Sequence, residues 1–232
     1  MASSAQSGAA REAANGGARV LLLARAPEAQ PHRPEVEALL GPARYVRLEQ
    51  LLIERASAWA AEVAPGHVYV ACQPGGDESA LRPLVGADVP VFAQVGDGVS
   101  RRLHGAVQRV FSEGEGPVLV AWPDLPHWRP AHMAGALGDL RAGCDVSVGP
   151  VFDGGFYLLA LARLVPALFE LPDDDWRSPG SMGRLLGVAH EAGLQPGLLR
   201  AERGMSRPAD VRAALADPLL DDELAAVLRD GS

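Results

Sequence analysis

Two aspartates, each at the end of an apolar run, are the residues best placed to do chemistry. In Gly149-Pro150-Val151-Phe152-Asp153-Gly154-Gly155-Phe156-Tyr157, an acid and two glycines lie between strongly apolar segments. Asp-Gly-Gly alone is an ordinary hairpin turn. With Gly-Pro just upstream and no side chains at Gly154 and Gly155, however, a ligand can approach the backbone closely. Asp153 could there bind a sugar or acceptor hydroxyl, or act as a base. In Val118-Leu119-Val120-Ala121-Trp122-Pro123-Asp124-Leu125-Pro126, the apolar run leads straight into Asp124 between prolines. A carboxylate in that position either supports the turn or offers hard oxygen ligands to Mg²⁺ or Mn²⁺. A third candidate is Gln94-Val95-Gly96-Asp97-Gly98, followed by Arg101-Arg102. Backbone N–H groups at a helix start, with arginines one turn on, suit a phosphate; the plainer alternative is a capped surface helix with solvated arginines. His104, His127, His132 and His190 show no metal-ligand spacing. The chain has no Gly-x-Ser-x-Gly elbow, Walker loop or Cys-x-x-Cys pair, which argues against hydrolase, P-loop and zinc chemistry.

The elements that must position these residues alternate. Residues 18–25 form a continuous apolar run ended by Pro27, as in a buried parallel strand. Residues 47–62 repeat apolar positions at helical spacing. The second strand, 67–72, is closed by Pro74-Gly75-Gly76-Asp77. A third strand over 89–95 is followed by a helix through Val110, and a fourth covers 116–121. A helix over 130–142 precedes two strands, 145–149 and 156–161, joined by a tight turn. Residues 208–229 read as one or two surface helices with Asp210 and Glu223 on their polar faces. Alternating strands and helices predict an α/β, three-layer α/β/α fold with a mostly parallel, doubly wound sheet. Ligands in such sheets sit beyond the carboxyl ends of the strands. The loops Arg25–Pro34, Gln94–Gly98, Trp122–Pro126 and Pro150–Gly155 are therefore the places to look. The organisation expected is a disordered leader over 1–17 and one domain over 18–232.

Composition narrows the partners. The chain is 48% apolar and 22% charged, as in a folded globular protein. Its net charge of −8 argues against nucleic-acid binding, although a local arginine cluster can still hold a small phosphorylated ligand. No apolar run approaches the ~20 residues that cross a bilayer. The Ala, Ser and Gly-rich N-terminus lacks a signal peptide's apolar core. Cys72 and Cys144 each sit in an apolar run and read as two buried structural thiols. A cytoplasmic setting is expected.

Together these segments resemble the bacterial radical-SAM/selenodomain-associated transferases. These are GT-A-like relatives of nucleotide-sugar glycosyltransferases and of molybdenum-cofactor and phospholactate nucleotidylyltransferases. The likeness spans roughly residues 18–215 by motif order. Arg25-Ala26-Pro27 looks like the family's Lys-Ala-Pro, and Gln94, Gly96 and Arg102 look like its Gln-x-Gly…Arg segment. Asp124-Leu125-Pro126 is similar to its Asp-Cys-Pro metal motif. Gly149-Pro150 through Asp153-Gly154-Gly155-Phe156-Tyr157 matches Gly-Pro-x-x-Asp-Gly-Gly-Tyr-Tyr almost residue for residue, and Trp176-Arg177-Ser178 resembles Trp-x-Thr. The departures are equally specific. Lys-Thr-Arg-Leu is replaced by Arg33-Pro34-Glu35-Val36, and Gly-Thr before the metal aspartate by Trp122-Pro123. The C-terminal Asp-x-Asp-Thr-Pro-x-Asp is Gly204-Met205-Ser206-Arg207-Pro208-Ala209-Asp210, which lacks both leading acids.

The resemblance implies a GT-A-type transferase that uses a nucleotide-activated sugar and a small-molecule acceptor, with no nucleic-acid or membrane partner. Asp124 and Asp153 are then the catalytic candidates, with Asp124 near the diphosphate and Asp153 near the acceptor. Arg25, Arg33, Gln94, Gly96 and Arg102 would bind nucleotide and phosphate, and Gly154, Gly155 and Trp176 would bind the acceptor. Mg²⁺ or Mn²⁺ on Asp124 would be held weakly, because affinity rises with ligand charge count. Arg203 or Arg207 could neutralise diphosphate in its place. A nucleotidylyltransferase on the same fold and a catalytically silent binding or scaffold homologue are the alternatives.

Overall fold

The computed structural model describes residues 16–27 and 33–229. Most of the leader, and residues 28–32 of the Arg25–Pro34 loop, lie outside the described residues. The elements in chain order are β1 (Arg19–Ala24), α1 (Pro34–Leu40), α2 (Pro42–Val63), β2 (Val68–Cys72), α3 (Glu78–Val85), β3 (Val91–Ala93), α4 (Val99–Ser112), β4 (Val118–Ala121), α5 (Pro130–Arg141), β5 (Val146–Pro150), β6 (Phe156–Leu161), α6 (Ser181–Glu191), β7 (Pro196–Leu198), α7 (Pro208–Leu215) and α8 (Asp222–Leu228). Two 3₁₀ turns, Pro166–Phe169 and Asp173–Arg177, lie between β6 and α6.

The strands form one seven-stranded sheet in the order β3-β2-β1-β4-β6-β5-β7. β1 lies parallel to β2 and β4, β2 to β3, and β5 to β7. β6 runs antiparallel between β4 and β5. A connection as short as 151–155 can join only antiparallel neighbours, and this hairpin breaks the otherwise parallel order.

Every residue of β1 is buried, which requires cover on both faces of the sheet. Val20, Leu22 and Ala24 pack toward Ile53, Ala56 and Trp59 of α2, Leu81 of α3 and Met133 of α5. Leu21 and Leu23 pack toward Leu103, Val107 and Val110 of α4 and Leu185 of α6. Alternation along the strands thus separates two apolar layers, as the period of two demands. The expected three-layer α/β/α architecture is present.

Four features differ from the sequence reading. The helix expected over 47–62 begins at Pro42, where proline is tolerated because the first-turn N–H needs no partner. The short α1 and α3, the helix α6 and the strand β7 lack a periodic pattern long enough to read. The C-terminal helices are not confined to the surface: Val211, Ala214, Leu224 and Leu228 pack with Leu48, Leu51 and Leu52 of α2. Asp210 is buried rather than on a polar face, accepting from Arg207 N and pairing with Arg203, while Glu223 stays exposed and pairs with Arg47. Cys72 is buried, but Cys144 is only half-buried.

Candidate active site

A cleft of about 340 Å³ opens at the carboxyl ends of the central strands. Four of its walls come from the loops singled out in the sequence. Arg25 and Arg33 follow β1, Gln94 follows β3, Trp122, Pro123 and Asp124 follow β4, and Val151, Asp153 and Gly155 form the β5–β6 hairpin. Arg102 of α4, Trp176 of the second 3₁₀ turn and Arg207 before α7 complete the lining. Of the expected site residues, Gly96, Gly154 and Arg203 do not line it.

The two glycines serve the backbone. Gly154 has φ +96°, and a Cβ there would overlap the carbonyl of Pro179. Its own carbonyl accepts from Met182 N, so the hairpin is clamped onto the start of α6. Gly96 has φ +132°, and its Cβ would crowd Arg101 and the Arg102 amide at 3.2–3.3 Å. Its bare Cα lets the loop lie close to the first turn of α4.

The hairpin holds Asp153 firmly. One carboxylate oxygen, Oδ1, accepts from Gly155 N at 3.0 Å, and Oδ2 is not used in that bond. Trp122 and Phe156 meet edge to face at 5.0 Å, and Phe156 meets Trp176 in the same manner at 6.2 Å. The three rings form an aromatic wall. Trp176 spends its Nε1–H on Ser100 Oγ at 2.6 Å, so ring surface is what it offers a ligand.

Asp124 is not the free carboxylate expected for a metal ligand. Its Oδ1 contacts Arg33 Nη2 directly, and Arg33 Nη1 donates to Glu49 at 2.7 Å. Arg33 is 6% exposed and Glu49 7%. Burial by itself would lower the Arg33 pKa, but the charges of Asp124 and Glu49 outweigh it and hold the guanidinium protonated. Burial raises the Glu49 pKa and Asp124 adds to that rise, against the opposing charge of Arg33. Two acids share one cation, and burial makes Glu49 easier to protonate than an ordinary carboxyl. Glu49 lies on the apolar stripe of α2 with Ile53 and Ala56, and an acid at i with buried residues at i+4 and i+7 was the available signal.

Whether these residues fit a divalent ion can be judged from the donors. Among the described residues, no group of three or more His, Cys, Asp or Glu side chains converges. Asp124 brings one oxygen not given to Arg33, and a doubly charged ion ~5 Å from a guanidinium is repelled by roughly 7 kcal/mol at an effective dielectric constant of ~20. The donor set does not fit a tightly held Mg²⁺ or Mn²⁺.

The other cations are arranged differently. Arg25 donates to Gln73 at 3.3 Å, and Gln94 spends its amide on the Ala71 carbonyl at 3.2 Å. Arg102 has no ion pair among the described residues, and its buried Nε has no hydrogen-bond partner. Arg207 lines the cleft, and among the described residues its side chain donates to the Asp153 carbonyl at 3.3 Å and has no ion pair. Arg203, the other arginine considered for diphosphate, instead pairs with Asp210 at 3.0 Å and lies over exposed Phe152. The start of α4 is not open to a phosphate: Asp173 Oδ1 accepts from Ser100 N at 3.1 Å, and a Cβ on Gly98 would overlap that carboxylate. Four arginines and three acids line the cleft, so it is locally positive on a chain of net charge −8.

Comparison with known proteins bears on this geometry. Residues 57–175 match a protein family described as an uncharacterized protein conserved in bacteria (DUF2064). The chain belongs to this family. No curated protein matches its sequence. Among solved structures, a candidate nucleotide-diphospho-sugar transferase from Desulfovibrio desulfuricans G20 superimposes with a TM-score of 0.77 at 20% identity, covering 91% of this chain and 94% of the other. A 4-diphosphocytidyl-2C-methyl-D-erythritol synthase gives 0.56 at 13% identity, covering 86% of this chain and 98% of that one. A CMP:2-keto-3-deoxy-manno-octonic acid synthetase complexed with CTP gives 0.53 at 17%, covering 86% and 97%. At these identities the likeness is one of fold: this DUF2064 chain has the nucleotide-diphospho-sugar transferase type of fold. Among the described residues, no helix is long and apolar enough to cross a membrane.

Proposed function

We propose that this chain is a GT-A-like transferase that binds a nucleotide-activated sugar in the cleft and transfers the sugar to a small acceptor. The observation that carries this reading is the pairing of a positioned carboxylate, Asp153, with two cleft arginines, Arg102 and Arg207, that have no ion pair among the described residues. The match to the Asp-Gly-Gly motif of selenodomain-associated transferases supports it. Arg25, Arg102 and Arg207 take the diphosphate through charge-assisted hydrogen bonds. The wall of Trp122, Phe156 and Trp176 takes a planar base or the apolar face of a sugar.

Asp153 Oδ2 accepts the acceptor hydroxyl's proton as the acceptor oxygen bonds to the sugar's anomeric carbon. The bond from that carbon to the diphosphate oxygen breaks, and the nucleoside diphosphate leaves with its electron pair, its charge met by the arginines. Asp124 acts through Arg33, which it fixes, so it is a positioning residue.

The test is product analysis with a panel of nucleotide sugars and nucleoside triphosphates. Release of a nucleoside diphosphate together with a glycosylated acceptor is expected. Release of pyrophosphate from a triphosphate would replace this reading with nucleotidylyl transfer. A thermal-shift screen separates both from a silent homologue, since a ligand at 100 times its dissociation constant stabilises by ~2.7 kcal/mol.

A further inference from the structure

We propose that Arg33 is a built-in substitute for a divalent cation: fixed between Glu49 and Asp124, its guanidinium occupies the point where those carboxylates would hold a metal, and nucleoside diphosphate binds without metal, its charge met by the other cleft arginines. The inference rests on the reading of the cleft as a nucleotide site. Two carboxylates from separate elements, Glu49 in α2 and Asp124 after β4, converge on one point. Convergent carboxylates are what hold a hard cation. The group between them is the Arg33 guanidinium, one nitrogen to each acid, at the floor of the same cleft that Arg102 and Arg207 line.

The placement is rigid. Arg33 precedes α1, and its carbonyl accepts from Val36 N and Glu37 N, each at 3.0 Å. The side chain is buried against two fixed partners. A guanidinium presents its N–H donors in a planar fork, which lets one side chain bond two carboxylates from different directions. The charge balance agrees. A metal-dependent cleft would present acids in excess, to be neutralised by the ion, whereas this one has four arginines against three acids. The acids expected near Gly204-Met205-Ser206 are absent, and Arg207 stands beside that segment.

The decisive measurement is calorimetric titration of the full chain with CDP, UDP, GDP and ADP, once in excess EDTA and once in excess Mn²⁺. The expected result is one dissociation constant, unchanged within about twofold between the two conditions. Binding that appears only with Mn²⁺ overturns the proposal. If no nucleoside diphosphate binds in either condition, the nucleotide reading fails, and Mn²⁺ titration followed by electron paramagnetic resonance decides the role of Arg33 alone. The wild-type chain should take up no Mn²⁺. Arg33→Ala, with Glu49 and Asp124 left facing each other, should bind one Mn²⁺ and melt at a higher temperature in its presence. Mn²⁺ bound by the wild-type chain, or no Mn²⁺ bound by Arg33→Ala, overturns the substitution. Should Arg33→Ala fold only with Mn²⁺, that dependence is the same positive result. Should it fold in neither condition, the wild-type Mn²⁺ titration stands as the test.

Discussion

In the cleft, Arg33 is buried and bonded to two carboxylates, whereas among the described residues Arg102 keeps an unpartnered Nε and the Arg207 side chain donates to a backbone carbonyl. The residue type is the same and the energetic position is opposite. A buried cation with two acid partners is expensive to disturb, because removing it strands charge in a low-dielectric setting. A cation without an ion pair costs the folded chain little when it is lost and has donors free for a ligand. The comparison assigns Arg33 to the architecture of the site and Arg102 and Arg207 to its traffic.

Three changes test that division, taken from the largest effect down. Arg33→Ala should destabilise the fold by about 3 kcal/mol or more, since Glu49 is left buried without its cation; chemical denaturation checks it, and a loss below ~1 kcal/mol would erase the contrast between the two sides. Asp153→Asn should lower transfer at least ~100-fold, the usual reach of a general base. Nucleotide affinity should stay within about twofold, because the change falls on the acceptor side. Arg102→Met should weaken nucleoside diphosphate about tenfold, the loss of a charge-assisted hydrogen bond, while the melting temperature stays where it was. A large stability loss in Arg102→Met would place that residue with Arg33.

The smallest effect lies outside the cleft, at His132. It is packed between Trp128 and Tyr157 and bonded to Glu202, with Arg129 the other charged group beside it. Burial lowers its pKa, against the opposing pull of Glu202. The unfolded chain therefore takes up this proton first. The contribution to stability is complete above the unfolded value of ~6.5 and is lost as pH falls through it toward the folded value. Melting temperatures between neutral pH and mildly acidic pH should show this slope, and His132→Gln should flatten it.

The loops that carry the site were legible because each follows an apolar run, and chain continuity puts a strand-end residue at the carboxyl edge of a parallel sheet. Asp124, Asp153, Gln94 and Arg25 could be named on that ground. The glycines were legible as necessary but not in their function. Gly154 meets Pro179, 25 residues on, and no local pattern announces that approach. Asp173 on the start of α4 is hidden for the same reason: it reaches Ser100 across 73 residues.

By itself the sequence determined the order of β1 to β6 with α2, α4 and α5 between them, the carboxyl-edge loops and the Asp-Gly-Gly hairpin, because these depend on periodicity and turn chemistry over a few residues. It could not determine the state of the charges. Arg33 and Asp124 are 91 residues apart, and Glu49 lies on a third element. Whether an acid meets a metal, a ligand or an arginine is decided by which side chains the fold brings within 3 Å of one another. The tertiary structure alone turned a candidate metal ligand into the anchor of a buried guanidinium.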